Sequence, residues 1–494
     1  MSVESNEPTH PLSHGSLPPW DVAELPEPLA FSVRNAFRII GPGAILLAAS
    51  IGGGEWLVGP ETVTKHGPEV LWLATLAIVL QVLFNLEAIR YTLYTGEPII
   101  SGIMRLRPGC RVWGASYVIL TAMQLGVPAL APACAAPIFG AFSGRMPAAD
   151  GSDASTLMWI TYGVILGTLA ILMFGGTIER MLEWASWGMI AYIFIFLIGV
   201  NVWFVPGSVW TSTLTGFVSF GYWPQNIEPI LMATFLATAG SGGIGNLAIS
   251  NWIRDKGFGM GSQVGAIPSA IGAKTVRLSH IGKVFEVTDK NLGRWRTWWR
   301  YVVLDQIWLW GLGCFLGMFL NVNLARAIIP PGTDLSKVGA GAFQAQYMAE
   351  NFWQPLWMLG LLNGFWILFS TQLGNADVLV RTITDTLWVA SRRVRNWKDG
   401  NIARIYYGIL IVFTLWGLIA VRLGTAMQLF KYLGTMAGIV LCIAAVQVYL
   451  VNTRLLPPEL RPSWWRRLAL LATAMLYGWA SYVAISSEIK KWIS

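Results

Sequence analysis

Apolar residues arrive along this chain in long unbroken runs, and polar residues are confined to the short segments between them. "LWLATLAIVLQVLF", "AYIFIFLIGVNVWFV" and "IYYGILIVFTLWGLIAV" each belong to a stretch near the roughly 20 residues that cross a hydrocarbon core as a helix. The pattern predicts eleven spans, at about 36–64, 68–94, 110–141, 156–177, 182–205, 227–254, 297–322, 353–386, 403–421, 424–451 and 466–489. The ten-residue alternating segments of a membrane barrel do not occur. The expected fold class is therefore an all-α polytopic membrane protein.

Two of the runs are interrupted. In "LLAASIGGGEWLVGPETV" the first span carries Gly52, Gly53 and Gly54, then Glu55 and Trp56. Each glycine costs a helix interior about 1 kcal/mol relative to alanine, and a carboxylate at membrane depth is expensive. The sixth span reads "LMATFLATAGSGGIGNLAISNWI", with Gly240, Ser241, Gly242, Gly243, Gly245 and Asn246 at its centre. If residues 36–205 and 227–451 are two repeats of five spans, the interruptions fall at equivalent positions, and an odd repeat inverts the topology of the second copy. Residues 466–494 then form an eleventh helix with an external C-terminus. Paired interruptions of this kind mark a midplane binding site between inverted repeats, because unwound backbone at that depth must line a cavity or be buried in protein. Close helix packing through small residues is the alternative.

Composition adds topology. With a cytoplasmic N-terminus, cytoplasmic loops and span ends hold about 26 Lys and Arg against about 7 outside. The net charge of +8 is thus explained by orientation, and no nucleic-acid partner is needed. Short loops favour the cell inner membrane, with the lipid bilayer as surroundings. Trp298, Trp299, Trp464 and Trp465 fall at span boundaries, as interfacial anchors do. Residues 1–35, rich in proline and histidine, read as a disordered or surface-lying cytoplasmic tail and not as a signal peptide. Four scattered cysteines (Cys110, Cys134, Cys314, Cys442) show no metal-ligand spacing and read as buried apolar thiols. No cofactor is expected, and no HExxH or GxSxG motif points to an enzyme.

Other polar residues lie within spans. Gln124 in span three and Asn363, Gln372 and Asn375 in span eight are candidate solute contacts. Glu87 has Arg90 at ion-pair spacing, and Asp377 and Lys431 are a possible pair between spans eight and ten. Gln81, Asn85 and Gln447 read as interhelical hydrogen-bond partners. Glu55, Asp305 and Asp377 are candidates for coupling to an ion, H+ or Na+. Sodium would use oxygens near the span-one interruption and span eight, where Ser370 and Thr371 offer hydroxyls.

At these residues the chain resembles the Nramp family of proton-coupled divalent-metal transporters, within the amino acid–polyamine–organocation superfamily. "GPGAILLAASIGGGEW" matches that family's opening Gly-Pro-Gly (Gly41, Pro42, Gly43) and its Asp-Pro-Gly-Asn-Trp box, and "LYTGEP" continues the match. The resemblance implies a leucine-transporter-type inverted repeat of five plus five spans plus one, with spans one and six broken, and alternating access. It departs at the metal site. The family's metal-binding aspartate falls on Gly52 and its asparagine on Glu55, while its span-six methionine and histidine fall on Gly243 and Gly245. The acids of its span three have no counterpart in "TAMQLGV", which offers Gln124.

With thioether, aspartate and histidine gone, a borderline-soft metal loses its selective ligands, and the glycines are expected to enlarge the cavity. Glu55, Trp56, Ser241, Asn246 and the amides of spans three and eight suit a small polar organic solute, a glucose-like sugar first among them. The alternatives are a divalent cation, Mg2+ ahead of Mn2+, held at Glu55, and a receptor without turnover.

Overall fold

In lipid every backbone amide and carbonyl needs a partner within the protein, so apolar runs must close their hydrogen bonds as helices. The computed structural model describes residues 17–148, 150–173, 178–267, 278–330, 340–396 and 401–493. Among these residues, nine helices are long and apolar enough to cross a bilayer. They are span two (Pro68–Thr95), three (Cys110–Ser143), four (Ala154–Met173), five (Ile178–Phe204), seven (Asp289–Ile328), eight (Leu356–Ala390), nine (Ile402–Ala420), ten (Ala426–Arg454) and eleven (Trp464–Lys491). Span one (Pro42–His66) and a divided span six (Pro229–Thr238, then Ile244–Asp255) complete the eleven. Residues 174–177, the expected end of span four, lie outside the described residues. Span seven starts ahead of the expected 297 because Thr288 caps it, its hydroxyl accepting from the Asn291 amide at 3.3 Å.

The two interruptions differ in kind. Span six stops as a helix at Thr238 and resumes at Ile244. Between them Gly240, Gly242 and Gly243 have φ of 122°, 73° and 61°, values that only glycine adopts without strain. Span one is helical over Pro42–Ser50, turns at 51–53, widens to a π-helical turn at Gly54–Val58 and continues as Gly59–His66. The interruption expected there is present, as a turn followed by a widened helical turn and with no stretch as long as that in span six.

Span one packs on spans six and seven, and span two on spans six and seven, while spans three, four, eight and nine form a second group. Span eight lies against spans one and six, and span five packs on spans one, seven and eight. Spans ten and eleven flank the first half of span six, Pro229–Thr238.

The N-terminal segment is more ordered than a tail. Asp21–Val22 pairs in parallel with Lys283–Val284 of the segment between spans six and seven, and Leu25 is fully buried. Trp298, expected as an interfacial anchor, is covered by this segment and donates to the Pro26 carbonyl at 3.0 Å. Residues 1–16 lie outside the described residues.

The "LYTGEP" stretch turns at Gly96 and buries Glu97 against Arg105, at 2.9 and 2.5 Å. Tyr91 and the Gly282 amide also donate to this carboxylate. Burial opposes the charge on Glu97, but Arg105 and these donors hold its carboxyl below the ordinary value. A depressed carboxyl stabilises the fold above the ordinary carboxylate range, and that stability is lost as pH falls through its folded pKa. Glu97→Gln strands the Arg105 charge and is expected to cost about 3–5 kcal/mol. Thermal unfolding across pH measures this, and a variant as stable as wild type at neutral pH contradicts it.

Candidate functional site

The two interruptions touch. A side chain at Gly54 would run into the Thr238 carbonyl and the Ala239 amide, so this glycine lets spans one and six meet backbone to backbone. Glu55 follows immediately and is fully buried. Among the described residues neither of its carboxylate oxygens has a hydrogen-bond partner. The Gly240 backbone and the Cys314 thiol lie beside it without bonding geometry. Opposite stands Gly317, where a Cβ would sit 3.8 Å from Glu55 Cγ. Trp56 is buried too, its ring near Gly364. Cys314, read from sequence as an apolar core thiol, thus faces the acid of the interruption. Its spacing carried no sign of this, because the approach is between spans one and seven.

Two glutamines hold the span-six interruption. Gln81 of span two accepts from the Ser241 and Gly242 amides at 3.0 and 3.2 Å, and donates to the Ala239 carbonyl at 3.3 Å. Gln124 of span three accepts from the Ile244 amide at 3.0 Å and donates to the Gly242 carbonyl at 3.1 Å. Unwound backbone groups at membrane depth are therefore satisfied by protein, as they must be. Gln124, a candidate solute contact from sequence, has its amide engaged in this way. Gln81→Leu leaves the buried Gly242 amide and the part-buried Ser241 amide unpaired and is expected to cost at least about 1–3 kcal/mol. Unfolding of the purified variant tests this, and wild-type stability refutes it.

The glycines do not enlarge a cavity in the way expected. A Cβ at Gly52 would meet the Ile367 carbonyl and Thr371 hydroxyl, at Gly53 the Phe430 ring, and at Gly243 the Gln124 amide. Neighbouring helices have closed into the volume that side chains would have taken. Ser370 and Thr371 donate to the Ala48 carbonyl at 2.8 and 3.1 Å, gathering oxygens between spans one and eight.

A chain of buried hydrogen bonds leaves the site. Asn246 donates to Asn85 (2.9 Å), Asn85 to Gln306 (3.1 Å), and Gln306 to Asp305 (2.8 Å). Asp305 accepts from the Gly41 amide at 3.0 Å, at the start of span one. An acid at a helix N-terminus satisfies an orphan amide and complements the helix dipole.

Asp377 is not paired with Lys431. It binds Arg381 at 2.9 and 3.1 Å, Tyr406 at 2.7 Å and Trp252 at 2.9 Å, whereas Lys431 pairs with Glu228 at 2.9 Å. Asp377 and Lys431 lie on different spans, and each meets a closer partner. Arg381 also binds Asp255, and Arg254 binds Asp385 at 3.1 and 3.0 Å. This charge cluster ties the second half of span six, Ile244–Asp255, to span eight. Glu87 pairs with Arg90 as spaced, at 2.7 and 3.0 Å, and also with Arg466 at 2.9 Å. Asn363 is fully buried and unpaired among the described residues. Gln372 is buried and Asn375 half-buried. Neither forms a hydrogen bond to an interruption among the described residues.

No family model matches the chain, and no curated protein matches it in sequence. Solved structures match it by fold. The Eremococcus coleocola manganese transporter is similar over 96% of this chain and 91% of its own, with a TM-score of 0.60 at 14% identity. MhsT in complex with L-phenylalanine is similar over 90% of this chain and 98% of its own, with a TM-score of 0.51 at 12% identity. The chain is an all-α multi-pass membrane protein of the leucine-transporter-type fold, with its two interruptions in spans one and six.

Proposed function

We propose that the chain is a secondary active transporter working by alternating access, Nramp-like in fold, and that it carries a small polar organic solute such as a hexose. The observation that carries this reading is Glu55, buried where the two interruptions meet and left without a hydrogen-bond partner among the described residues. A membrane-buried acid is costly, and function is the usual reason for one to be kept. Solute hydroxyls would satisfy it through charge-assisted hydrogen bonds, and the Trp56 indole would cover an apolar sugar face. Of the three coupling candidates, Asp305 and Asp377 are already bonded, so Glu55 is the residue we assign to a proton. The Ala48, Ser370 and Thr371 oxygens are the site we assign to Na+ if sodium drives transport instead.

A second reading, a divalent-cation transporter, is favoured by the Cys314 thiol beside Glu55. A thiol next to a carboxylate shifts preference from Mg2+ toward softer ions. Flux of labelled D-glucose, Mg2+ and Mn2+ into proteoliposomes, under an imposed sodium or proton gradient, tests both. Gradient-driven D-glucose accumulation supports the first reading. Accumulation of a metal alone supports the second. No accumulation of any of them points to a receptor without turnover. In cells we place the protein in the inner membrane with its N-terminus cytoplasmic and its C-terminus external.

A further inference from the structure

We infer that span seven supplies part of the solute's wall: Asn321, with Glu55 and Asn363, forms a hydrogen-bonding set that takes an uncharged polyhydroxylated solute and passes over one read through a carboxylate. The inference rests on the transport reading above and names the groups that give it selectivity.

Asn321 was not singled out by sequence, where it is one polar residue in an apolar run. It is fully buried, and both its amide nitrogen and its oxygen lack a partner among the described residues. Asn363 is in the same condition, as are both oxygens of Glu55. Helix geometry brings the three toward one place. On span seven, Gly317 faces Ile51 and Glu55, while Met318 and Val322 face Gly59. Residue 321 lies four after Gly317 and three after Met318, on the same stripe toward span one. On span eight the Ile367 carbonyl faces Gly52 and Gly364 faces the Trp56 ring. Asn363 sits one turn before Ile367 and next to Gly364. The unpaired groups thus border span one from its glycine turn toward its outer half.

An unpaired buried amide is costly, and three unpaired polar groups around one segment mark a place kept for a ligand. Two carboxamides and a carboxyl present donors and acceptors side by side. Hydroxyls, each of which donates and accepts, match that mixture. A carboxylate-bearing solute in this fold is ordinarily held by free amides at a half-helix N-terminus. Here the Ser241, Gly242 and Ile244 amides are taken by Gln81 and Gln124.

The test is thermal unfolding of the full-length protein, wild type, Asn321→Leu and Asn363→Leu, each alone and with D-glucose, L-alanine or MnCl2. Leucine has nearly the shape of asparagine and removes an unpaired amide, so both variants are expected to unfold at or above the wild-type temperature. D-glucose is expected to stabilise wild type, and each variant to need on the order of 10-fold more of it for the same shift. L-alanine is expected to shift neither. A glucose shift unchanged in both variants overturns the inference and leaves the transport reading standing. Loss of stability in the unliganded variants overturns it as well, since the amides would then be bonded at rest. A wild-type shift with MnCl2 but none with D-glucose overturns the solute reading. A shift with L-alanine overturns the claimed selectivity.

Discussion

Glu55→Gln is expected to reduce solute uptake to the level of empty liposomes while leaving stability within about 1 kcal/mol of wild type, or above it. The two halves of this expectation share one cause. Glu55 is fully buried and makes no hydrogen bond among the described residues, so the fold gains nothing from its charge. A residue whose removal is harmless to the fold yet fatal to flux is one kept for what passes through. Glutamine retains the shape and an acceptor oxygen but cannot carry a proton or a negative charge, so it isolates the chemistry from the packing. Uptake into proteoliposomes together with thermal unfolding of the same preparation measures both. Wild-type flux in the variant removes Glu55 from the mechanism.

The largest effect on the fold is expected from Arg381→Met. Arg381 is fully buried and neutralises Asp377, at 2.9 and 3.1 Å, and Asp255. Without it Asp377 loses its cation, while Asp255 keeps Arg254 at 2.7 Å. The stranded buried carboxylate is expected to cost about 3–5 kcal/mol. Adding Asp377→Asn to this variant is expected to recover much of the loss, since it removes the stranded charge. Unfolding of the single and double variants reads this directly, and an Arg381→Met protein as stable as wild type contradicts the pairing. The cluster also bears on mechanism. It joins the second half of span six to span eight, so rocking spans one, two, six and seven against the others would have to part Asp255 from Arg381. That motion is part of the proposal and follows from the alternating-access scheme.

The sequence made the helices legible because hydrophobic runs of spanning length have few other uses. The interruption of span six was legible for a similar reason, since Gly240, Gly242 and Gly243 occupy backbone conformations that other residues avoid. The Glu87–Arg90 pair was readable because both residues sit on one helix at fixed spacing. What the glycines do to volume was not readable. Whether a missing side chain leaves a void or admits a neighbour depends on how helices far apart in sequence close up, and here Thr371, Phe430 and Gln124 fill the space. The same limit hid the partners of Asp377, which come from spans six and nine as well as its own. It also hid the capping of Gly41 by Asp305 and the approach of Cys314 to Glu55.

The most direct measurement is a structure of the protein determined with D-glucose bound. The account predicts density for the sugar beside Glu55, bordered by Trp56, Asn321 and Asn363, at the contact between spans one and six. Sugar density elsewhere, with Glu55 enclosed by protein alone, would contradict it.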